Sequence, residues 1–229
     1  MTGTGQMRAA LYWAPALDDD LHALGSAWLG RDAETGAALP QRALPGLDIA
    51  EVTADARGYG LHATLKPPFR IRTSWAAVRQ AAMQVALRTR PFALQPLRLA
   101  EHHGFLALLE SEKSAALQAL CDDCVIALDE HRAPPTPEEI ARRRPERMTE
   151  RQRAHLARWG YHYVFEEWWL HVTLSRRLTP EERDVVQPAL TAHMGDAAAR
   201  PRRVTELCLF TQAGPGAPFL IAERLPLLG

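Results

Sequence analysis

The chain has 229 residues, 47% of them apolar, with 27 basic and 27 acidic side chains and a formal net charge of zero. That length holds one large domain or two small lobes around a sizeable core. The charge balance excludes a global field that would draw nucleic acid or a membrane surface, so any polyanion must be held locally. Three cysteines, Cys121, Cys124 and Cys208, are too few for a disulfide scaffold. No apolar run reaches the length of a membrane span, and Met1 to Gln6 is small and polar, unlike a leader. A reduced, cytoplasmic protein is expected.

Residues 8–15 read as a first strand that Pro15 ends. Aspartates 18–20 then precede Leu21, Leu24, Trp28 and Leu29 at helical spacing, with Gly30 as the stop. Residues 31–45, rich in Gly, Ala and Pro, read as a loop. The next stretch, Gly58-Tyr-Gly-Leu-His-Ala-Thr-Leu-Lys-Pro-Pro-Phe69, alternates apolar and polar residues as a half-buried strand does. On such a strand His62 and Thr64 share one face while Leu61, Ala63 and Leu65 share the other. If the pleat continues, Lys66 joins the face of His62 and Thr64; Pro67 and Pro68, lacking amide donors, end the ladder.

Ser74 is placed to cap a helix with an apolar stripe at Val78, Ala81, Ala82, Val85 and Ala86. Residues 92–110 read as a hairpin turning at His102-His103-Gly104. Ser111 is read as the cap of a further helix, in which Cys121 and Cys124 are small core residues one turn apart. Residues 134–160 are the most charged segment and sit like a helical insertion, with Pro137 in a first turn, a Thr149 to Gln152 capping box and Gly160 as the stop. Arg142, Arg143, Arg144 and Arg147 could form a basic patch. Nearby Glu138, Glu139, Glu146 and Glu150 offset their charge, which favours a solvated face. Tyr161, Tyr163 and Phe165 alternate as a strand would, and the lining of a site or plain sheet packing both fit them.

A second copy of the pattern follows in Trp168-Trp-Leu-His-Val-Thr-Leu-Ser-Arg-Arg177. His171 and Thr173 share a face opposite Leu170, Val172 and Leu174, and Arg177 continues on the polar face. Thr179 and Pro180 start the next helix, Gly195 ends it, and two strands close the chain. Each His-x-Thr is thus followed by a helix and two strands, which is the signature of a duplicated unit, at about 58–111 and 168–226.

The paired motifs resemble the 2H phosphoesterase superfamily, named for two such His-x-Thr elements facing each other across a cleft. The stretches Ala10-Leu-Tyr-Trp-Ala-Pro15, Ser26-Ala-Trp-Leu-Gly-Arg-Asp32 and Ala157-Arg-Trp-Gly-Tyr161, with the two motifs, look closest to its phosphonate-operon, DUF1045-type branch. The resemblance implies an α+β, LigT-like fold of two pseudo-symmetric lobes with antiparallel sheets lining a central cleft and helices outside. It implies a phosphoesterase that hydrolyses a cyclic phosphodiester of the 2′,3′-cyclic nucleotide or cyclic ribose phosphate type, with a hint of phosphonate metabolism. The catalytic set expected is His62, Thr64, His171 and Thr173, and Lys66, Arg177, Tyr12, Arg31 and Tyr161 are the candidate substrate-binding residues. For Arg31 a solvated position after its helix is the competing reading.

The chemistry suits the residues. Opening a cyclic phosphodiester removes a proton from the attacking oxygen and returns one to the leaving oxygen on the far side of phosphorus, which two imidazoles across a cleft can share. Hydroxyls beside them can donate to the non-bridging oxygens. No cofactor and no metal is expected, because Thr in place of a carboxylate makes a poor ligand set. The expected partner is a small phosphate ester; RNA ends are not favoured, and the sequence leaves the oligomeric state open. A non-catalytic binder that holds a nucleotide or phosphonate metabolite in the same two-histidine cleft is the alternative.

Overall fold

Capping chemistry sets most of the element boundaries in the computed structural model, which describes residues 7–229. Met1 to Gln6, read above as unlike a leader, lie outside the described residues. The chain begins with strand β1 (Arg8–Trp13) and helix α1 (Asp20–Leu29); Asp19 accepts from the Leu21 amide at the start of α1, and Gly30, at φ 76°, closes it. Two short helices follow where the sequence carried no periodic signal, α2 (Ile49–Val52) and α3 (Ala54–Tyr59). Strand β2 (Ala63–Arg70) carries the first motif, and α4 (Trp75–Arg88) is capped by Ser74 as its sequence predicts. Strands β3 (Phe92–Leu94), β4 (Leu97–His102) and β5 (Phe105–Glu110) complete the first unit, with the hairpin turning through His103 and Gly104 at positive φ.

Helix α5 (Ala115–Ala127) is capped by Ser114, not Ser111, whose amide is still bonded to the Pro96 carbonyl at the hairpin end. Cys121 and Cys124 are buried in α5 as expected. The charged segment forms α6 (Pro137–Arg142) and α7 (Glu150–Trp159), each begun by a complete capping box. The strand expected over 161–165 is absent. Phe165, at φ 53°, turns the chain into a 3-10 turn at Phe165–Glu167, so the alternating aromatics find no ladder. Strand β6 (His171–Arg177), helix α8 (Pro180–Met194) and strands β7 (Arg202–Val204), β8 (Glu206–Gln212) and β9 (Leu220–Pro226) form the second unit.

The fold is α+β, and every strand pairing is antiparallel. Seven strands run in the order β4-β5-β6-β2-β1-β8-β9, and β3 pairs with β7 in a separate two-stranded ladder. The two units interlock. The first unit's hairpin, β4 with β5, flanks the second unit's motif strand β6. The second unit's hairpin, β8 with β9, joins the first motif strand β2 through β1. Alternation sorts the side chains: Leu11, Leu61, Ala63, Leu65, Val172 and Leu174 enter the large core beneath the helices. Tyr12, Cys208, Phe210 and Phe219 form a small core on the opposite face. Full burial of a Val or Leu side chain is worth roughly 1.5–3 kcal/mol, so the register that keeps Val172 and Leu174 inside is firmly specified.

Candidate functional site

The two motif strands meet at one point. Ala63 pairs with Val172, and the ladder between β2 and β6 goes no further. These are the middle residues of the two His-x-Thr triplets. An antiparallel bridge there sets His62 beside Thr173 and Thr64 beside His171, all four on the face opposite the helices, with the histidines at diagonal corners. Diagonal positions of a regular ladder lie roughly 7–8 Å apart. Burial chiefly lowers the pKa of His62, and a charge on His171 lowers it a little further, as expected for neighbours. The four catalytic candidates are therefore brought together around a pseudo-twofold axis through the bridge.

The seam is held by side chains where the ladder fails. The Trp168 indole donates to the Thr64 carbonyl at 2.7 Å, and the Trp28 indole of α1 donates to the Leu174 carbonyl at 2.9 Å. Both imidazoles are oriented alike. His62 Nδ1 lies 2.8 Å from the Gly60 carbonyl, and His171 Nδ1 lies 3.2 Å from the Trp169 carbonyl, again two residues back. A carbonyl can only accept, so each Nδ1 carries the proton and each Nε2 is left for a ligand. Gly60 makes the first of these bonds feasible: at φ 81° a Cβ there would sit 2.4 Å from the Ala33 Cβ.

The surroundings of the two rings differ. His62 stacks on Tyr12 at 4.0 Å, with Tyr59 at 5.8 Å and Phe210 at 6.2 Å. It keeps one edge open, yet removal from water by these rings lowers its pKa to about 4, against a smaller opposing effect of the Gly60 carbonyl. His171 has Trp169 at 5.6 Å, His102 at 6.2 Å and Phe105 at 6.3 Å. Its pKa is also lowered, by desolvation first, with His102 and His103 adding to the effect.

The other candidates divide. Tyr12 is fully buried against His62, its hydroxyl without a hydrogen-bond partner, and burial raises its pKa well above the ordinary value, with Tyr59 and Tyr161 adding to the rise. Tyr161 is thus close to the site, beneath the Arg143 guanidinium at 4.8 Å. Arg177 pairs with Phe105 at the far end of β6, on the face of Thr173, exposed and with no carboxylate partner among the described residues. Lys66 contradicts its expected place. Tyr12 pairs with Thr64 but Leu11 pairs with Lys66, so Leu65 is an extra residue, a bulge that turns Lys66 to the helix side. There it is buried, bonded to the Val125 carbonyl at 3.1 Å and 3.6 Å from Asp129, with its pKa lowered to about 8 chiefly by burial. Arg31 is neither solvated nor in the cleft. It is buried and donates to the carbonyls of Arg57, Gly58 and Phe219, which braces the segment leading to His62.

Sequence reasoning missed several neighbours. Tyr59 and Trp169 flank the motifs in sequence, whereas His102 and Phe105 reach His171 only through the β5 pairing. His102 Nε2 and Trp169 Nε1 are shielded from solvent without a partner. A cavity of about 490 Å³ opens on the other side of Tyr59 and includes neither histidine. Five arginines line it, among them Arg142 and Arg143 of the segment read as a solvated face. Among the described residues no group of three His, Cys, Asp or Glu is placed to hold a metal ion.

An interlocked antiparallel fold carrying two His-x-Thr motifs on one bridge defines the class of protein. A family model described as "Protein of unknown function (DUF1045)" matches residues 64–220, and the chain belongs to that family. Two curated relatives are called "Ribose 1,5-bisphosphate phosphokinase PhnN". The protein from Janthinobacterium sp. (strain Marseille) is 35% identical over 231 residues, and that from Laribacter hongkongensis (strain HLHK9) is 35% identical over 228. Each match covers 97% of this chain but 51% and 52% of those proteins, so the chain spans about half their length. Among solved structures, E. coli LigT complexed with NADP+ is 14% identical, with 98% of this chain and 99% of that one covered and a TM-score of 0.46. TT0787 of Thermus thermophilus is 15% identical, with 97% and 98% covered and a TM-score of 0.49. Likeness at that level leaves the reading of the site to the residues themselves.

Proposed function

We propose that the chain is a phosphoesterase that hydrolyses a cyclic phosphodiester by paired-histidine acid–base catalysis. The observation that carries this is the bridge between Ala63 and Val172, which flanks one point of the sheet with two imidazoles and two hydroxyls. His62, whose burial lowers its pKa to about 4, is assigned as the base that is neutral over most of the pH range, and His171 across the bridge as the acid. Water attacks phosphorus as His62 Nε2 takes its proton. The ring P–O bond breaks, and the leaving oxygen takes the proton from His171 Nε2. Exchange of one proton with solvent resets the pair.

Thr64 and Thr173 donate to the non-bridging oxygens, with Arg177 as an added cation on the same face. Tyr12 holds the His62 ring plane, and the unpartnered His102 Nε2 and Trp169 Nε1 are polar atoms for the rest of the substrate. The proposed reaction needs no metal: the polar group beside each imidazole is a threonine hydroxyl, a poor ligand for zinc or manganese. The kinase activity in the relatives' name is not carried over. This chain holds no Gly-x-x-x-x-Gly-Lys-Ser/Thr phosphate loop, and it spans only about half of those proteins. That name does support a phosphorylated sugar of phosphonate metabolism as the substrate class.

The test is turnover of a panel of cyclic nucleotide and cyclic ribose phosphates by the wild type, His62→Ala and His171→Ala, with and without a chelator. Hydrolysis of at least one, lost in both variants and indifferent to the chelator, is expected. A non-catalytic binder would show only affinity losses, and metal restoration after chelation would favour a metal-dependent hydrolase.

A further inference from the structure

We propose that the cavity beyond Tyr59 binds a second, non-reacting phosphoryl group of the substrate; this rests on the phosphoesterase reading for the reacting group and adds what the rest of the molecule carries. Arg8, Arg70, Arg132, Arg142 and Arg143 line the cavity, against one lining carboxylate, Glu139. Glu139 is already engaged, accepting from Arg70 at 3.2 Å and from the Thr136 amide at 2.8 Å. Arg132 is paired with Asp129. The remaining three form no ion pair within 4.0 Å among the described residues, although Arg8 feels Glu139 and Arg142 feels Glu138 at longer range. Arg8 donates to the Gln212 side chain at 3.2 Å and the Pro68 carbonyl at 3.4 Å, Arg142 to the Glu138 carbonyl at 3.4 Å, and Arg143 lies over the Tyr161 ring.

Gathering guanidiniums in one concavity raises their mutual repulsion, which a bound anion relieves. Their planar forks match the tetrahedral oxygens of a phosphoryl group better than a point charge would. The cavity is also continuous with the catalytic chemistry through single side chains. Tyr59 lines it while its ring stands 5.8 Å from His62 and 5.1 Å from Phe219, and Arg8 lies 5.8 Å from that same Phe219 ring. A phosphodiester at the histidines therefore has an anion site one aromatic ring away. At about 490 Å³ the cavity falls in the range of small-ligand pockets, with room for a phosphate and part of the sugar that bears it.

Two measurements test this independently of each other. Calorimetry with inorganic pyrophosphate is made on the His62→Ala/His171→Ala protein, with and without Arg142→Ala and Arg143→Ala. Binding that weakens about 10-fold or more with the arginine changes is expected, as for loss of charge-assisted hydrogen bonds; no binding, or binding indifferent to them, overturns the proposal. Both arginines are exposed, so their removal leaves the core intact, and a thermal melt checks it. The second measurement is the ratio of kcat/KM for a 2′,3′-cyclic nucleotide with a 5′-phosphate to that for the same nucleoside cyclic phosphate without one. A ratio of about 10 or more that falls toward 1 in the arginine variants supports the second site, and a wild-type ratio near 1 overturns it. Pyrophosphate binding without any hydrolysis would leave the cavity standing and sink the phosphoesterase reading instead.

Discussion

The two halves of the site use the same scaffold in different surroundings. On each side an imidazole follows a carbonyl two residues back and holds Nδ1 to it, and a hydroxyl stands two residues on. Around His62, however, the ring lies flat on Tyr12 and the Gly60 bond is 2.8 Å. Around His171 the carbonyl bond is 3.2 Å and the nearest partners are Trp169, His102 and the exposed end carrying Arg177. In the proposed mechanism the paired motifs supply attack and departure, and the different walls set the two rings apart in their protonation. The arginine cavity borders Tyr59, on the His62 side of the bridge.

The sharpest way to break that comparison is to remove each ring. His62→Ala and His171→Ala are each expected to lower kcat by about 100-fold or more, the usual scale for a general acid or base. The pH profile separates their roles. With His62 as base at about 4 and the His171 pKa also below 6.5, kcat/KM rises as pH climbs through about 4 and falls as the acid deprotonates below 6.5. The optimum therefore lies on the acid side of neutrality. NMR titration that gives His62 the higher pKa would reverse the assignment.

Next in size is the seam itself. Trp168→Phe keeps an aromatic ring but leaves the Thr64 carbonyl without its donor, at an expected cost of about 1–3 kcal/mol. For a chain of this length that is a Tm decrease of roughly 2–12 °C, with kcat falling because His62 and His171 lose their mutual distance. Thr64→Val and Thr173→Val should cost less, about tenfold in kcat each with KM little changed, since each removes one neutral hydrogen bond of roughly 1–1.5 kcal/mol from a charge that grows in the transition state. An effect on KM alone would show that the hydroxyls bind the ground state and do not serve the reaction.

Local chemistry was legible in the sequence and pairing was not. Caps at Ser74, Thr149 and Thr179 and stops at Gly30 and Gly160 depend on residues within one turn, and the structure has them all. The His-x-Thr faces were legible for the same reason, since period two is local. The alternation of Tyr161, Tyr163 and Phe165 looked like a strand, but a strand exists only with a partner, and the chain turns at Phe165 before one is met. Arg142 and Arg143 are exposed, as a solvated face requires, but counting charges did not show that they also line a cavity. Glu138 and Glu139 balance Arg142 and Arg143 in number, yet Glu139 pairs with Arg70 from a distant strand, so five arginines and one carboxylate line the cavity.

Lys66 gives the smallest expected effect and the cleanest check on face assignment. By alternation alone it belongs beside the phosphate, where its loss would cost activity on the scale of the threonines. The bulge at Leu65 places it instead under α5, and Asp129 keeps Arg132 and Arg158 as partners without it. Lys66→Met fills similar volume with apolar atoms and removes a buried charge whose desolvation already lowers its pKa to about 8, a replacement that is often near neutral when the other ion stays paired. The variant should keep kcat/KM within about twofold and melt within a few degrees of the wild type. A loss of kcat comparable to that of Thr64→Val would mean that the strand pleats on without its bulge and that the ammonium faces the cleft after all.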